Sequence, residues 1–249
     1  MTVVYRIYQL LIAAPLLLLL TFLTCVTVII GCTFGKSHTW GYYPPMLWAR
    51  AFCRILLLPV HIKGKENMKP GQSYVFVANH QGDFDIFLIY GFLGRNFKWM
   101  MKRSLRKMPF VGKASENAGH IFVDKRGPKA IQNTYNQARQ TLRGGTSLMV
   151  FPEGARTFTG HMGIFRKGAF QLAEEIGLPV VPITINGSFQ ILPRMRGFNF
   201  IEWHPLELTI HQPIPTQGVS QDQVMQQAYD RIMGALPADL QGFVKNDDQ

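Results

Sequence analysis

From Leu10 to Gly31 the chain carries no charged residue, and only Pro15 and a few threonines interrupt its apolar character. As a helix rising about 1.5 Å per residue this run reaches about 33 Å, enough to cross a hydrocarbon core of about 30 Å. A second apolar segment follows at Pro44–Val60. Arg50 and Arg54 share one helical face there, among Leu47, Trp48, Phe52, Ile55, Leu56, Leu57 and Leu58. That pattern predicts a helix at a bilayer interface with its arginines at headgroup level. Trp40, Tyr42, Tyr43 and Trp48 suit a membrane–water boundary. Three arrangements fit: a single transmembrane anchor, a two-helix hairpin in one leaflet joined across 35–45, or an export signal. For export, Ile29-Ile30-Gly31-Cys32 loosely matches the site of a lipid-modified cysteine. The lone Arg6 ahead of a long apolar run favours a retained anchor over export.

The rest of the chain is compositionally different. Residues 1–60 hold four bases (Arg6, Lys36, Arg50, Arg54) and no acid, so all 15 acidic residues lie beyond them. The net charge of +11 calls for an anionic partner, either nucleic acid or an anionic bilayer and its lipids. Cys25, Cys32 and Cys53 all fall in the first 60 residues, which excludes a zinc cluster, a disulfide framework and a cysteine nucleophile from the remainder.

From Pro59 onward short apolar runs alternate with helical stretches. Ser73–Ala78, Lys98–Met101, Ile121–Val123, Ser147–Phe151 and Val180–Ile185 read as strands, most of them too apolar to face water on either side, and Leu206–His211 as a late strand. Helices are predicted at Phe84–Leu93, Pro128–Arg143 and Gly168–Ile176, with Gly144-Gly145 ending the second, and Ser220 and Asp222 cap a last helix running to Gly234. The organisation is therefore 1–60 as membrane-anchoring helical segments, 61–242 as an α/β domain with a central, mostly parallel sheet flanked by helices, and 243–249 as a polar tail. In such folds ligands gather beyond the carboxyl ends of the strands, where the unusual polar clusters of this chain stand.

Two clusters can carry chemistry. Asn79-His80-Gln81-Gly82-Asp83-Phe84-Asp85 follows the first strand. Asp85, one turn into the next helix, can fold back onto one imidazole nitrogen of His80, fixing its tautomer and leaving the other nitrogen to take a proton from a hydroxyl. The competing reading makes Asp83 a helix cap and His80 a solvated turn residue. Phe151-Pro152-Glu153-Gly154-Ala155-Arg156-Thr157 ends another strand. Arg156 on a glycine-containing turn can meet a phosphate with a bidentate fork, with Glu153 orienting it or accepting a substrate hydroxyl; the plain alternative is a surface Glu–Arg pair. A third feature, Arg95 to Lys107, packs Arg95, Lys98, Lys102, Arg103, Arg106 and Lys107 together without an acid. No RNP motif, zinc module or aromatic stacking platform accompanies it, so a lipid headgroup surface is expected rather than nucleic acid.

Taken in order, these segments resemble the lysophosphatidate (1-acylglycerol-3-phosphate) acyltransferases of the glycerolipid acyltransferase superfamily. His80 and Asp85 meet the H-x4-D block. Gly119-His120-Ile121-Phe122-Val123-Asp124-Lys125-Arg126 is similar to G-x-I-F-V/I-D-R, with Lys125 in the arginine position. The F-P-E-G-T-R block recurs with Ala155 for threonine, and Val181-Pro182-Ile183-Thr184-Ile185-Asn186-Gly187 matches the fourth block. The resemblance implies that His80 is the general base acting on the free glycerol hydroxyl, that Asp85 orients it, and that Arg156 with Lys102 holds the phosphate. It also implies that Glu153 and Gly154 shape the acceptor site, and that the hydroxyl attacks the thioester directly, with neither metal nor cofactor. Acyl-coenzyme A or acyl carrier protein would be the donor, lysophosphatidate in an anionic bilayer the acceptor, and the cytoplasmic membrane face the location. The family's N-terminal two-helix membrane motif matches the two apolar segments. Phe84–Leu93 reads either as the lining of an acyl groove or as a core helix. Two other readings are an acyltransferase for another lysolipid or an amino-lipid, and a non-catalytic exported lipid-binding lipoprotein.

Overall fold

Strand β2 (Val75–Ala78) sets the core: Phe76 and Ala78 pack into one hydrophobic cluster, Val75 and Val77 into the other, and all four are fully buried. A strand buried on both faces belongs in the middle of a sheet covered by helices on each side, and that is where it lies. The computed structural model describes residues 2–124, 126–142, 146–194 and 199–244. Lys125, the helix end at Arg143-Gly144-Gly145 and the 245–249 part of the tail lie outside the described residues.

Seven strands lie among the described residues: β1 (Val60–Lys63), β2, β3 (Phe97–Lys102), β4 (Ile121–Val123), β5 (Ser147–Val150), β6 (Val180–Asn186) and β7 (Leu206–Ile210). Their order in the sheet is β1-β7-β6-β2-β5-β3-β4, parallel throughout except for the antiparallel β6–β7 pair. The chain leaves β2 toward β3 on one side, and β5 later crosses back to β6 on the other. The carboxyl ends of β2 and β5 therefore face the point where the winding reverses. Seven helices matter: α1 (Val3–Phe34), α2 (Tyr43–Ile55), α3 (Phe84–Phe92), α4 (Val111–Asn117), α5 (Pro128–Thr141), α6 (Gly168–Ile176) and α7 (Gln221–Gly234). Buried residues of α2 and α3 join one cluster, and those of α5, α6 and α7 the other. Ser220 accepts from the Gln223 N–H while the Gln223 side chain returns to the Ser220 N–H, so a full capping box starts α7.

Three expectations change. β1 escapes the sequence pattern because it is a four-residue edge strand with His61 and Lys63 exposed. α3 is largely a core helix, with Phe84, Leu88 and Ile89 almost fully buried and Ile86 facing outward. The expected pair of membrane helices resolves into one long apolar helix, α1, and a second helix that belongs to the domain. α2 buries Ala49 and Cys53 against the core, and Arg50 points inward, its Nε donating to the Gly91 carbonyl at 2.6 Å. Only Arg54 of the two arginines is exposed.

α1 is long and apolar enough to cross a membrane, yet it is fastened to the domain along its length. The Tyr5 and Tyr8 hydroxyls donate to the Leu56 and Ile55 carbonyls at 2.7 Å, and Gln9 Nε2 donates to the Ile201 carbonyl at 2.7 Å. Mid-helix, Trp48 Nε1 donates to Thr21 Oγ1 at 2.9 Å; near the end, Asn117 Nδ2 donates to Thr33 Oγ1 at 3.2 Å. Ala13, Leu17, Cys25 and Val28 are buried, while Val4, Leu11, Leu18 and Phe34 project outward. The export reading would cut before Cys32 and discard every residue of α1 that makes these bonds except Thr33.

Gly187, after β6, provides a test of how tightly this frame is closed. It sits at φ +90°, and a Cβ there would lie 2.0 Å from the Pro205 carbonyl oxygen; Gly218, at φ +74°, has open space around it. Gly218→Ala should cost about 1–2 kcal/mol from backbone conformation alone. Gly187→Ala should cost at least about 2 kcal/mol more, because backbone must move. Denaturant unfolding of the two variants measures the difference.

Candidate active site

Chain leaving β2 meets Asn79, whose side chain is fully tied to β6: Nδ2 donates to the Ile185 carbonyl and Oδ1 accepts the Ile185 N–H, both at 2.8 Å. This two-point clamp explains why the fourth sequence block matters and gives Asn79 a positioning role that the sequence reading passed over. Gly82 then makes the reversal, because a Cβ there would fall 2.7 Å from Ser188 Oγ and 2.8 Å from the Ser188 carbonyl. The reversal brings Asp85 onto His80, with Nδ1 and Oδ2 2.7 Å apart.

Asp85 is wholly buried and His80 is 15% exposed. Asp85 Oδ2 also accepts the Gly82 N–H at 3.0 Å, and its Oδ1 is buried without a hydrogen-bonding partner among the described residues. A buried carboxylate with so few donors attracts the imidazole proton strongly. Nδ1 therefore donates to Asp85 and Nε2 is the basic nitrogen. The imidazole lies flat on Phe151, centroids 3.9 Å apart at 6°, and Phe151 in turn stacks on Trp99. This aromatic floor fixes the plane of the ring. The cap-and-turn alternative for this segment does not hold: Asp83 occupies the N-cap position of α3 without making a cap hydrogen bond.

From β5, Glu153 comes under the same loop. It is 1% exposed; Oε1 accepts the His80 N–H at 2.7 Å and Oε2 the Gly163 N–H at 2.8 Å. The Thr157 N–H donates to the His80 carbonyl at 3.0 Å, so both main-chain groups of His80 are held by the β5 loop. Burial pushes the Glu153 carboxyl up to about 8, against the pull of its two N–H donors, with Asp85 adding to the rise. Gly154 stands at φ +77° directly beneath the exposed Arg166 guanidinium, where only glycine is relaxed. Arg156 emerges next, about one-third exposed, and the acid that meets it is Asp83, about half exposed. The Arg156 carbonyl accepts from Arg194 Nη1 at 2.9 Å.

Lys102 ends β3 at the same edge of the sheet, two strands along from β2, and is exposed. The other cations of its stretch are mostly occupied. Lys98 is buried with Nζ donating to the Ala118 carbonyl at 2.6 Å, Arg95 donates to the Met68 carbonyl at 2.7 Å, and Arg103 and Arg106 pair with Asp124 and Glu116. His120 supports this region from inside. Its Nδ1 accepts the Trp99 N–H at 3.3 Å, Nε2 meets the Tyr90 hydroxyl at 2.7 Å, and burial lowers it to about 3, so it stays neutral.

The site thus sets the His80 imidazole on a rigid aromatic floor, oriented by a buried carboxylate, with two cations, Arg156 and Lys102, along the same sheet edge. The family model described as Acyltransferase matches residues 59–186. The chloroplastic 1-acyl-sn-glycerol-3-phosphate acyltransferase of Arabidopsis thaliana is 32% identical over 193 residues, 76% of this chain and 53% of that one. The human 1-acyl-sn-glycerol-3-phosphate acyltransferase alpha is 33% identical over 166 residues, 66% of this chain and 58% of its own. This chain therefore spans little more than half the length of these curated relatives. The crystal structure of the 1-acyl-sn-glycerophosphate (LPA) acyltransferase PlsC from Thermotoga maritima shares the fold, with a TM-score of 0.75 over 92% of each chain at 23% identity.

Glu153 makes a pH prediction. Its folded value, about 8, lies above the ordinary 4.5. The folded state then holds the proton more tightly than the unfolded chain, and the associated stability is complete below pH 4.5 and lost as pH rises to about 8. Denaturation midpoints measured across that window should fall more in wild type than in Glu153→Gln.

Proposed function

The chain belongs to the Acyltransferase family, and from that premise we propose that it moves an acyl group from a thioester to the free hydroxyl of 1-acylglycerol-3-phosphate, forming phosphatidate. The observation that carries this reading is the buried His80–Asp85 pair, set on the same strand-end edge as Arg156 and Lys102. The names of the relatives identify the acceptor class for those proteins, and the two cations suit a phosphate monoester here.

In this mechanism the acceptor hydroxyl lies against His80 Nε2. As its oxygen attacks the thioester carbonyl, the proton passes to Nε2, and the imidazolium is stabilised by Asp85 through Nδ1–H. Collapse of the tetrahedral intermediate breaks the carbon–sulfur bond, and the imidazolium returns its proton to the leaving thiolate. General-base assistance of this kind contributes about 10²–10⁴-fold. Arg156 and Lys102 bind the phosphate and so position the hydroxyl, and Glu153 and Gly154 hold the loop that carries His80. The donor is acyl-coenzyme A or acyl carrier protein, both acidic and suited to a basic rim. The enzyme sits at a membrane with its active face toward the cytoplasm, where acyl thioesters are made. α1, fastened along the domain with its outer face apolar, fits a helix embedded in one leaflet better than one crossing the bilayer.

Two experiments test the reading. With labelled lysophosphatidate and acyl-coenzyme A or acyl carrier protein, His80→Ala and Asp85→Asn should lower kcat at least about a hundredfold with little change in lysolipid affinity; wild-type turnover in His80→Ala would exclude the base. The second concerns the ion pair that Arg156 makes with Asp83. Phosphate must displace this carboxylate, and a solvent-accessible pair is worth about 0.2–1 kcal/mol. Asp83→Asn should therefore lower the KM for lysophosphatidate by up to about fivefold, whereas Arg156→Ala should raise it.

A further inference from the structure

We infer that the turn joining β3 to α4, Leu105 to Phe110, is a second membrane-docking element, which wedges into the headgroup–acyl boundary of an anionic bilayer. This rests on the membrane association argued above and names a part of the surface that α1 does not supply.

After β3 the chain makes a short 3₁₀ turn, Arg103–Lys107, and reaches α4 through Met108, Pro109 and Phe110. Leu105, Met108 and Phe110 are 39%, 46% and 56% exposed. Three large apolar side chains so close together on an outer turn need an apolar partner. The turn that displays them is tightly built. The Met108 N–H donates to the Leu105 carbonyl at 3.1 Å and the Gly112 N–H to the Met108 carbonyl at 2.9 Å. Gly112 is packed so closely that a Cβ would lie 2.2 Å from the Arg106 carbonyl oxygen. Phe110 adopts φ +58°, a conformation unusual for a bulky residue, and this geometry holds the aromatic ring at the surface.

The position of the ring identifies the occupant. Phe110 meets Phe22 of α1 edge-on, centroids 5.1 Å apart. Phe22 lies on the exposed side of α1 beside Leu18, Leu19 and Leu23, which are 73%, 55% and 50% exposed. The turn thus continues the outward apolar face of α1. Its polar residues are basic: Lys102 and Lys107 are exposed beside it, with Arg103 and Arg106 held by Asp124 and Glu116. An apolar tip in a basic collar matches the boundary between acyl chains and anionic headgroups. Docking here holds Lys102, at the start of the turn, at the level of lipid phosphates. A lysolipid can then reach the site by lateral movement, without extraction of its acyl chain into water.

The test uses the full chain and vesicles of equal parts phosphatidylcholine and phosphatidylglycerol. Leu105→Ser/Met108→Ser/Phe110→Gly, in which glycine accepts the positive φ without strain, should weaken sedimentation with vesicles by about tenfold or more while the unfolding midpoint is retained. Phe110→Trp, a milder change, should add fluorescence that brominated lipid quenches. Failure of the wild type to bind vesicles overturns the membrane reading and this element with it. Wild-type vesicle binding by the folded triple variant, or an added tryptophan that brominated lipid does not quench, overturns this element alone. If the triple variant does not fold, the tryptophan result decides. Conversion of a dimer to a monomer by the triple variant, with vesicle binding intact, would identify a second copy of the chain as the occupant and overturn the proposal.

Discussion

The hydrogen bond between Asp85 and His80 is the constraint around which the rest is arranged. A carboxylate with no exposed surface is costly to hold, and among the described residues it receives only the imidazole and one main-chain N–H. That scarcity of donors makes the imidazole proton the principal source of stabilisation for the carboxylate. The pair needs a tight reversal at Gly82, and the reversal needs room against Ser188. It also needs a loop that does not move, and most of the polar bonds in the neighbourhood serve that end.

Three strands supply this rigidity, each by a different means. β6 holds Asn79 through both atoms of its amide; β5 sends Glu153 beneath the loop to take the His80 N–H, and Thr157 to bond the His80 carbonyl. β3 contributes Trp99, which supports Phe151 under the imidazole. The parallel arrangement puts the carboxyl ends of β2, β5 and β3 at one edge, so residues far apart in sequence converge there, several of them on the long stretch 151–167 that follows β5. β6 brings its carboxyl end to this edge as well, and β7 and β1 run the opposite way.

Charge divides into two kinds. Lys98, Arg95, Arg103 and Arg106 bond to carbonyls or acids and act as structure, whereas Arg156 and Lys102 remain accessible at the sheet edge. Arg156 is held by Asp83, a residue whose N-cap position would ordinarily turn its side chain toward the helix. The pairing keeps the guanidinium oriented while leaving it exchangeable, since a partly exposed pair is weak. On the outer surface, the apolar face of α1 and the turn after β3 meet through Phe22 and Phe110.

What the sequence determined by itself follows from local periodicity and composition. Apolar runs such as Ser147–Phe151 and Val180–Ile185 carry their own strand signal, and His80, Asp85 and Arg156 stand at strand ends because short polar clusters interrupt those runs. Only the tertiary structure decided the partners. Glu153 and Arg156 look like a local ion pair, yet Glu153 is buried under His80 while Arg156 reaches Asp83, because parallel strands bring different loops together across the sheet. The apolar run of α1 reads the same whether a helix crosses a bilayer or lies along a domain; only the fold shows that Tyr5, Tyr8, Gln9 and Thr21 bond to residues 27 to 192 positions away. Arg50 and Lys98 read as surface cations but point inward, since burial depends on which neighbouring carbonyl is left to accept, and Gly91 and Ala118 offer theirs only once the helices have packed.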